Sequence, residues 1–236
     1  MEILRRLLNT NKIAIARLFQ IGSNNYEGSL SIEKDEILKY LPAHPKIIDC
    51  GAHIGTDAIE FLIKADCRIY AFEPITNIYD KLLANTKQYS NINCFNLALN
   101  SYDGVAEMYV SSGYSDGSSS LLEPKMHLKF HPDVFFHETE LVNCNKLDTW
   151  AIANSVSEID LLWLDMQGAE KQMLSESELI LDTVKVIHTE ISFFEIYANM
   201  SNYKNLKKFL KKKGFKVVIE AIPKGNYGGN VLFVKE

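Results

Sequence analysis

The chain has 236 residues, of which 47% are hydrophobic and 23% charged, and its formal net charge at pH 7 is −5. This composition is typical of a globular protein with one large α/β domain or two small ones. The negative charge argues against a dominant surface for nucleic acids or anionic membranes, and no apolar run approaches the roughly 20 residues of a membrane span. The sequence therefore predicts no nucleic-acid partner and no membrane span.

The four cysteines do not form a CxxC pair, which favours a reducing compartment. Basic residues interrupt the apolar positions of residues 1–19 too often for a secretory signal. We therefore expect a cytoplasmic protein. Residues 1–45 are predicted to form a helical segment that packs on a domain formed by residues 46–236.

From residue 46 onward, short apolar runs alternate with amphipathic segments. In chain order the pattern predicts strands at 46–50, 68–72, 93–97, 159–165, 184–191, 215–221 and 230–234. Helices are predicted at 57–64, 75–88, around 169–174 and at 202–213. This alternation indicates a mostly parallel sheet with helices on both faces. The last two strands are joined by a turn too short for a crossover, so we expect them to pair antiparallel.

The alternation breaks between the third and fourth of these strands. Residues 105–110 are predicted to form a strand, and the serine- and glycine-rich residues 111–120 a flexible loop. Aromatic and histidine residues follow over 126–140. We therefore expect residues 111–140 to be an irregular insertion that acts as a lid or binding loop.

A glycine-rich turn follows the first strand directly after Asp49. The turn reads Gly51, Ala52, His53, Ile54, Gly55 and Thr56. Ligands of open α/β sheets bind beyond the carboxyl ends of the strands, where such a turn lets the backbone approach them. Because this loop is acidic and lacks the third glycine of the dinucleotide fingerprint, it suits the cationic S-adenosylmethionine better than a pyrophosphate.

The next two strands also end in polar residues. Glu73 and Pro74 follow the second strand, and a carboxylate about 20 residues after a glycine turn can accept hydrogen bonds from both ribose hydroxyls. Asn96 and Ala98 end the third strand. The Asn96 amide is predicted either to face an adenine or to position the next loop.

Six motifs, in this order, resemble the FkbM family of S-adenosylmethionine-dependent methyltransferases: DCGAHIGT, AFEP, FNLALN, GSSSLL, CNKLDTW and IDLLWLDMQGAE. The resemblance implies the Rossmann-like class I methyltransferase fold, with a seven-stranded sheet whose last strand is antiparallel. It also implies that Asp49, Gly51, Gly55 and Glu73 line the cofactor site, and that the acceptor is a hydroxyl, often on a sugar.

Three positions depart from the family pattern. Trp163 and Gln167 stand where the family has lysine and glutamate, and His53 stands where it often has asparagine. Asp165, Gly168 and Glu170 keep the pattern. The paired loss of a lysine and a glutamate is either a compensated structural change or a change in the acceptor pocket.

The candidate catalytic residues lie at the ends of the fourth and fifth strands. A hydroxyl is a poor nucleophile and gains from a general base or a metal. Asp165 ends one strand, while His188 and Glu190 lie two residues apart on the next and so face the same side. Asp165 and Glu190 could also hold Mg²⁺, although two carboxylates alone do not indicate a metal site.

The sequence therefore predicts an S-adenosylmethionine-dependent O-methyltransferase with a saccharide, glycan or related small hydroxyl compound as acceptor. Two alternatives stay open. One is an NAD(P)-dependent oxidoreductase on the same sheet, and the other is a non-catalytic protein that keeps the fold and binds the cofactor.

Overall fold

The computed structural model describes residues 31–236 of the chain. Residues 1–30 of the predicted N-terminal segment therefore lie outside the described residues. The described end of that segment contributes Ile32 and Ile37 to the core of the domain. Within residues 31–236, no helix combines the length and the apolar character needed to cross a bilayer.

The helices are α1 (Lys34–Leu38), α2 (Thr56–Lys64), α3 (Thr76–Thr86), α4 (His127–Phe130), α5 (Leu147–Ala153), α6 (Glu170–Leu174), α7 (Glu178–Thr183) and α8 (Tyr203–Lys212). The strands are β1 (Lys46–Cys50), β2 (Arg68–Phe72), β3 (Ile92–Phe95), β4 (Ala98–Leu99), β5 (Gly104–Gly113), β6 (Val134–Asn145), β7 (Leu161–Leu164), β8 (Val186–Ser192), β9 (Phe215–Ala221) and β10 (Gly228–Lys235).

Seven strands form the main sheet in the order β3-β2-β1-β7-β8-β10-β9. Strands β1, β2, β3, β7 and β8 pair parallel, whereas β10 is antiparallel to both of its neighbours. The predicted class I methyltransferase architecture is thereby confirmed. It follows that the carboxyl ends of β1, β2 and β7 meet at one edge, where a ligand site is expected.

Apolar side chains alternate between the two faces of the central strands. Ile47 and Leu161 pack on one face with Phe61 of α2. On the opposite face, Phe72 packs against Trp150 of α5 with ring centroids 4.9 Å apart. Because both faces are covered, these strands are apolar throughout, and the polar residues at their ends stand out in the sequence.

The insertion is more ordered than the sequence predicted. Strands β5 and β6 pair antiparallel, and β4 joins them in a three-stranded second sheet. The expectation of an irregular segment is therefore wrong for residues 111–113, which belong to β5, and for residues 134–140, which belong to β6. Residues 114–119 form a loop between the end of β5 and Ser120, and this loop lies near the edge of the main sheet.

The turn after β1 fixes the geometry of that edge. Gly51 has φ +84°, and a Cβ at this position would lie 2.0 Å from the carbonyl oxygen of Asp165. Only glycine permits this close approach between the ends of β1 and β7. The glycine thus brings Asp165 next to the loop that follows β1.

Candidate active site

A first cleft, with about 590 Å³ of empty space, opens over the carboxyl ends of the strands. Six of the residues predicted to bind a cofactor line it: Gly51, His53, Glu73, Pro74, Ala98 and Asp165. Apolar residues complete its walls, among them Leu97 after β3, Leu99 of β4 and Met108 of β5. The first cleft therefore has acidic groups at its rim and an apolar floor.

Glu73 is the acidic residue that the backbone orients most firmly. Its carboxylate accepts the N–H of Ile75 at 2.8 Å and the N–H of His53 at 3.1 Å. Burial raises the pKa of Glu73 to about 7, although these two hydrogen bonds act in the opposite direction. The carboxylate is thus fixed in place with lone pairs left for a ligand.

The other predicted cofactor residues do not line the first cleft: Asp49, Ala52, Gly55, Thr56 and Asn96. Asn96 donates hydrogen bonds to the carbonyl oxygens of Glu73 and Pro74, so it positions that loop rather than facing a ligand. Gly55, at φ +89°, precedes α2 and packs on Leu82 of α3. Asn96 and Gly55 therefore support the segments around the first cleft and do not line it.

Asp49 lies beneath the glycine turn and is 1% exposed. Neither oxygen of its carboxyl has a hydrogen-bond partner within residues 31–236. Burial raises the pKa of Asp49 well above its ordinary value, and the charge of Asp57 raises it further. Asp49 does not line the first cleft, so its place in the cofactor site stays a prediction.

The loop of residues 114–119 forms the outer wall of the first cleft. Asp116 lies 3.0 Å from Nε2 of His53 and 3.9 Å from Nζ of Lys81. Gly117 and Ser119 also line the cleft. The sequence pattern identified this segment as a loop, but only the structure shows which residues it faces.

A second cleft, with about 810 Å³ of empty space, adjoins the first. Gly117 lines both, and Gln167 lies two residues beyond Asp165 at their junction. Most of its lining side chains are polar or aromatic: Ser115, Ser118, His127, His131, Gln167, Glu170, Glu190, Ser192, Tyr197 and Tyr227. None of the lining residues within the described part of the chain is lysine or arginine.

Two predicted catalytic carboxyls face these clefts, with Asp165 in the first and Glu190 in the second. Water reaches both through the open clefts, while protein surrounds them on their other sides. Burial raises the pKa of Asp165 and of Glu190, and the charge of Asp165 raises that of Glu190 further. The negative charges of Asp165 and Glu190 therefore oppose each other's ionisation.

Glu170 closes the loop that carries Asp165. Its Oε1 accepts the N–H of Met166 at 3.1 Å and that of Gly168 at 3.2 Å. Burial raises the pKa of Glu170 to about 7. The sequence retained this glutamate as part of the family pattern, and the structure gives it the role of fixing the turn after β7.

His188 does not join the predicted catalytic group. Its imidazole is 4% exposed and stacks on Trp163, with ring centroids 3.7 Å apart and planes within 7°. Burial lowers the pKa of His188 to about 3, so the ring is neutral. His188 lines neither cleft, so the structure does not support its predicted catalytic role, which stays a prediction.

The lysine missing at position 163 has a substitute nearby. Lys34 of α1 places its Nζ 4.4 Å from the centroid of the Trp163 ring and forms ion pairs with Asp57 at 2.5 Å and Glu60 at 2.9 Å. Its charge also acts to lower the pKa of Asp49. Trp163 therefore packs against Lys34 and His188 away from these two clefts.

The residues of the first cleft fit S-adenosylmethionine. A buried acid under the glycine turn and the carboxyls of Glu73 and Asp165 suit a ligand with ammonium and sulfonium charges. Mg²⁺ finds no such support, because no group of three or more potential ligands occurs among the described residues. The predicted absence of a nucleic-acid partner stays a prediction.

Comparison with known proteins places most of the chain in one group. Residues 49–217 match the family described as the methyltransferase FkbM domain. The 2-O-methyltransferase NoeI of Sinorhizobium fredii (strain NBRC 101917 / NGR234) is 28% identical over 187 residues, which cover 77% of both chains.

Solved structures give two further likenesses. The magnesium protoporphyrin IX methyltransferase ChlM from Synechocystis PCC 6803, with bound SAM, has a TM-score of 0.49 at 11% identity, over 86% of this chain and 77% of that one. Aeropyrum pernix fibrillarin, with natively bound S-adenosyl-L-methionine, has a TM-score of 0.48 at 15% identity, over 82% and 69%.

Proposed function

Since this chain belongs to the FkbM family of methyltransferases, and is therefore an S-adenosylmethionine-dependent methyltransferase, we propose that it methylates a hydroxyl of a saccharide or related small molecule. Family membership selects this activity among the three functions that the sequence left open. The proposal concerns the acceptor, the cleft that binds it and the residue that takes its proton.

The junction of the two clefts is the observation that carries the proposal. Asp165 lines the first cleft, Glu190 lines the second, and Gln167 lies between them. A cofactor in the first cleft and an acceptor in the second would meet beside these carboxyls. When bound, S-adenosylmethionine supplies a methyl group that its sulfonium charge has already activated, so the chain must mainly align the acceptor and remove a proton.

The lining of the second cleft supports an uncharged, hydroxyl-rich acceptor. Serine hydroxyls, tyrosines and the amide of Gln167 can exchange hydrogen bonds with sugar hydroxyls, and the face of the half-buried Tyr227 suits the apolar side of a sugar ring. An anionic acceptor would face Glu170 and Glu190 without a lysine or arginine partner in the described lining. The relative NoeI is named as a 2-O-methyltransferase, which agrees with a hydroxyl acceptor.

A product assay tests the proposal. The protein is incubated with methyl-labelled S-adenosylmethionine and a panel of neutral glycans and methyl glycosides, and mass spectrometry reads the gain of one methyl group. We expect labelled product with at least one neutral saccharide and none with its phosphorylated counterpart. Methylation of the phosphorylated sugar alone, or of a nitrogen or carbon atom, would contradict the proposed acceptor class.

A further inference from the structure

Gln167 occupies the junction between the two clefts through its side chain. Its Nε2–H donates to Oδ1 of Asp165 at 2.6 Å, and its Oε1 lies 3.1 Å from the hydroxyl of Tyr197. The Tyr197 hydroxyl also lies 2.6 Å from the carbonyl oxygen of Ser118, so its one proton serves either acceptor. Both contacts agree on the orientation of the amide, with nitrogen toward the acid and oxygen toward the hydroxyl.

The backbone around Gln167 holds this orientation. Gln167 has φ +51°, in the left-handed region that non-glycine residues rarely adopt, and Ser120 Oγ donates to its carbonyl oxygen at 2.9 Å. Gly168 follows at φ +101°, where a Cβ would lie 2.9 Å from that of Met200. Such conformations persist only where the surrounding structure fixes them, so the amide is placed rather than free to turn away.

An amide at this position has a different effect from a carboxylate. The titratable groups whose charges act on Asp165, or on which its charge acts, are Asp49, Cys50, Asp57, Glu170, Glu190 and Tyr197. None of them is a cation, so a glutamate at position 167 would add another acceptor and another negative charge. The glutamine instead donates to Asp165, and hydrogen bonds from it favour the ionised forms of both Asp165 and Glu190.

We propose that Gln167 is a positioning residue that keeps Asp165 ionised while Glu190 retains a proton at neutral pH, which makes Asp165 the base for the acceptor hydroxyl. The 2.6 Å hydrogen bond engages Oδ1 and leaves Oδ2 to receive the proton. Glu190, flanked by the charges of Asp165 and Glu170, is the acid that stays neutral and can donate a hydrogen bond to the acceptor. The catalytic meaning of this assignment rests on the proposed O-methylation, but the protonation order does not.

Carboxyl ¹³C NMR of the full chain, labelled in aspartate and glutamate and titrated without any acceptor, tests the inference. Asp165→Asn and Glu190→Gln identify the two resonances by their loss. We expect Asp165 to ionise at a lower pH than Glu190. Gln167→Met, which keeps the length but removes the donor, should raise the Asp165 midpoint by about one pH unit or more, and Gln167→Glu by at least as much.

Gln172→Met is the matched control, because Gln172 lies on α6 outside both clefts and its side-chain amide donates to the carbonyl oxygen of Asn199. It should leave both midpoints unchanged. Ionisation of Glu190 before Asp165, or an unchanged Asp165 midpoint in Gln167→Met, would overturn the inference. If the Gln167 variants do not fold, the order of ionisation in the wild-type chain still decides.

Failure of this titration would leave the proposed function standing, because no acceptor takes part. Conversely, a protein that shows the expected order yet forms no methylated saccharide would refute the proposed acceptor and leave the protonation order intact.

Discussion

The two clefts differ in how the chain builds them. The first is formed largely by residues that directly follow strands of the main sheet, such as Gly51, Glu73 and Asp165. The second collects side chains from α4, the segment after β8 and the turn before β10. Local sequence pattern therefore reports much of the cofactor side, whereas on the acceptor side it reports only the residues at the ends of β7 and β8, such as Gln167 and Glu190. It also follows that substitutions can impair one cleft and spare the other.

The largest effect should come from Asp165→Asn, which keeps the shape of the side chain but removes the base. We expect turnover to fall about 10²- to 10⁴-fold, the usual contribution of general-base catalysis, while affinity for S-adenosylhomocysteine changes less than about tenfold. Transfer of a labelled methyl group measures turnover, and calorimetry measures the affinity for S-adenosylhomocysteine. Asp66→Asn, at an exposed aspartate paired with His44, is the control. Equal losses in turnover and in affinity for S-adenosylhomocysteine would mean that Asp165 binds the cofactor and is not the base.

Glu73→Ala should mainly weaken cofactor binding and leave the second cleft intact, whereas Asp165→Asn should mainly lower turnover. Loss of two charge-assisted hydrogen bonds to a ribose predicts about 10- to 100-fold weaker binding of S-adenosylhomocysteine. Calorimetry measures the change, and Glu138→Ala, at an exposed position of β6, is the matched control. Unchanged affinity in Glu73→Ala would remove Glu73 from the cofactor site.

The pH dependence of cofactor binding gives a second test of Glu73 as a cofactor-binding residue. Because the pKa of Glu73 is raised to about 7, its carboxyl gains a proton, and loses acceptor capacity, as the pH falls below that value. We expect affinity for S-adenosylhomocysteine to fall by up to about tenfold per pH unit below pH 7 and to level off above it. Calorimetry between pH 5.5 and 8.5 measures this slope. Glu73→Gln should flatten it, and a slope that persists in Glu73→Gln would assign it to another group.

The smallest effect on activity should come from His188→Phe, since His188 belongs to neither cleft. The folded-state pKa is lowered from its ordinary 6.5 to about 3, so in this window the unfolded chain binds a proton that the folded chain does not. His188 should therefore reduce the free energy of unfolding by about 1.4 kcal/mol per pH unit as the pH falls below 6.5.

Urea unfolding at pH 7 and pH 5.5 measures this as a difference between the wild type and His188→Phe, which keeps a ring against Trp163. Turnover should stay within about threefold of the wild type. A loss of turnover with unchanged stability would return His188 to the catalytic group.

The main sheet was predictable because its strands are buried on both faces and its helices are amphipathic, so each changes the period of the sequence. The second sheet was not. Strand β6 has one face toward solvent, and Phe135 and Leu141 are exposed on it while Val134 and Val142 are buried. Apolar residues on both faces conceal the alternation that identifies a half-buried strand.

The same limit applies to the site. Asp165 and Glu73 were found because strand ends converge at one edge of a parallel sheet. His188 and Glu190 look equivalent in sequence, two residues apart, but depth within the sheet separates a stacked core ring from a cleft carboxyl. No sequence pattern pointed to Tyr197 or His127 as residues of the second cleft. The contact between their rings depends on how the insertion folds back over the sheet.

Gly117 belongs to the walls of both clefts, on a loop that Asp116 links to His53. Any displacement of this loop by one ligand alters the surroundings of the other. Thermodynamic reciprocity then requires each ligand to change the affinity of the other by the same factor. The six residues of this loop are therefore the place where occupancy of one cleft would be transmitted to the other.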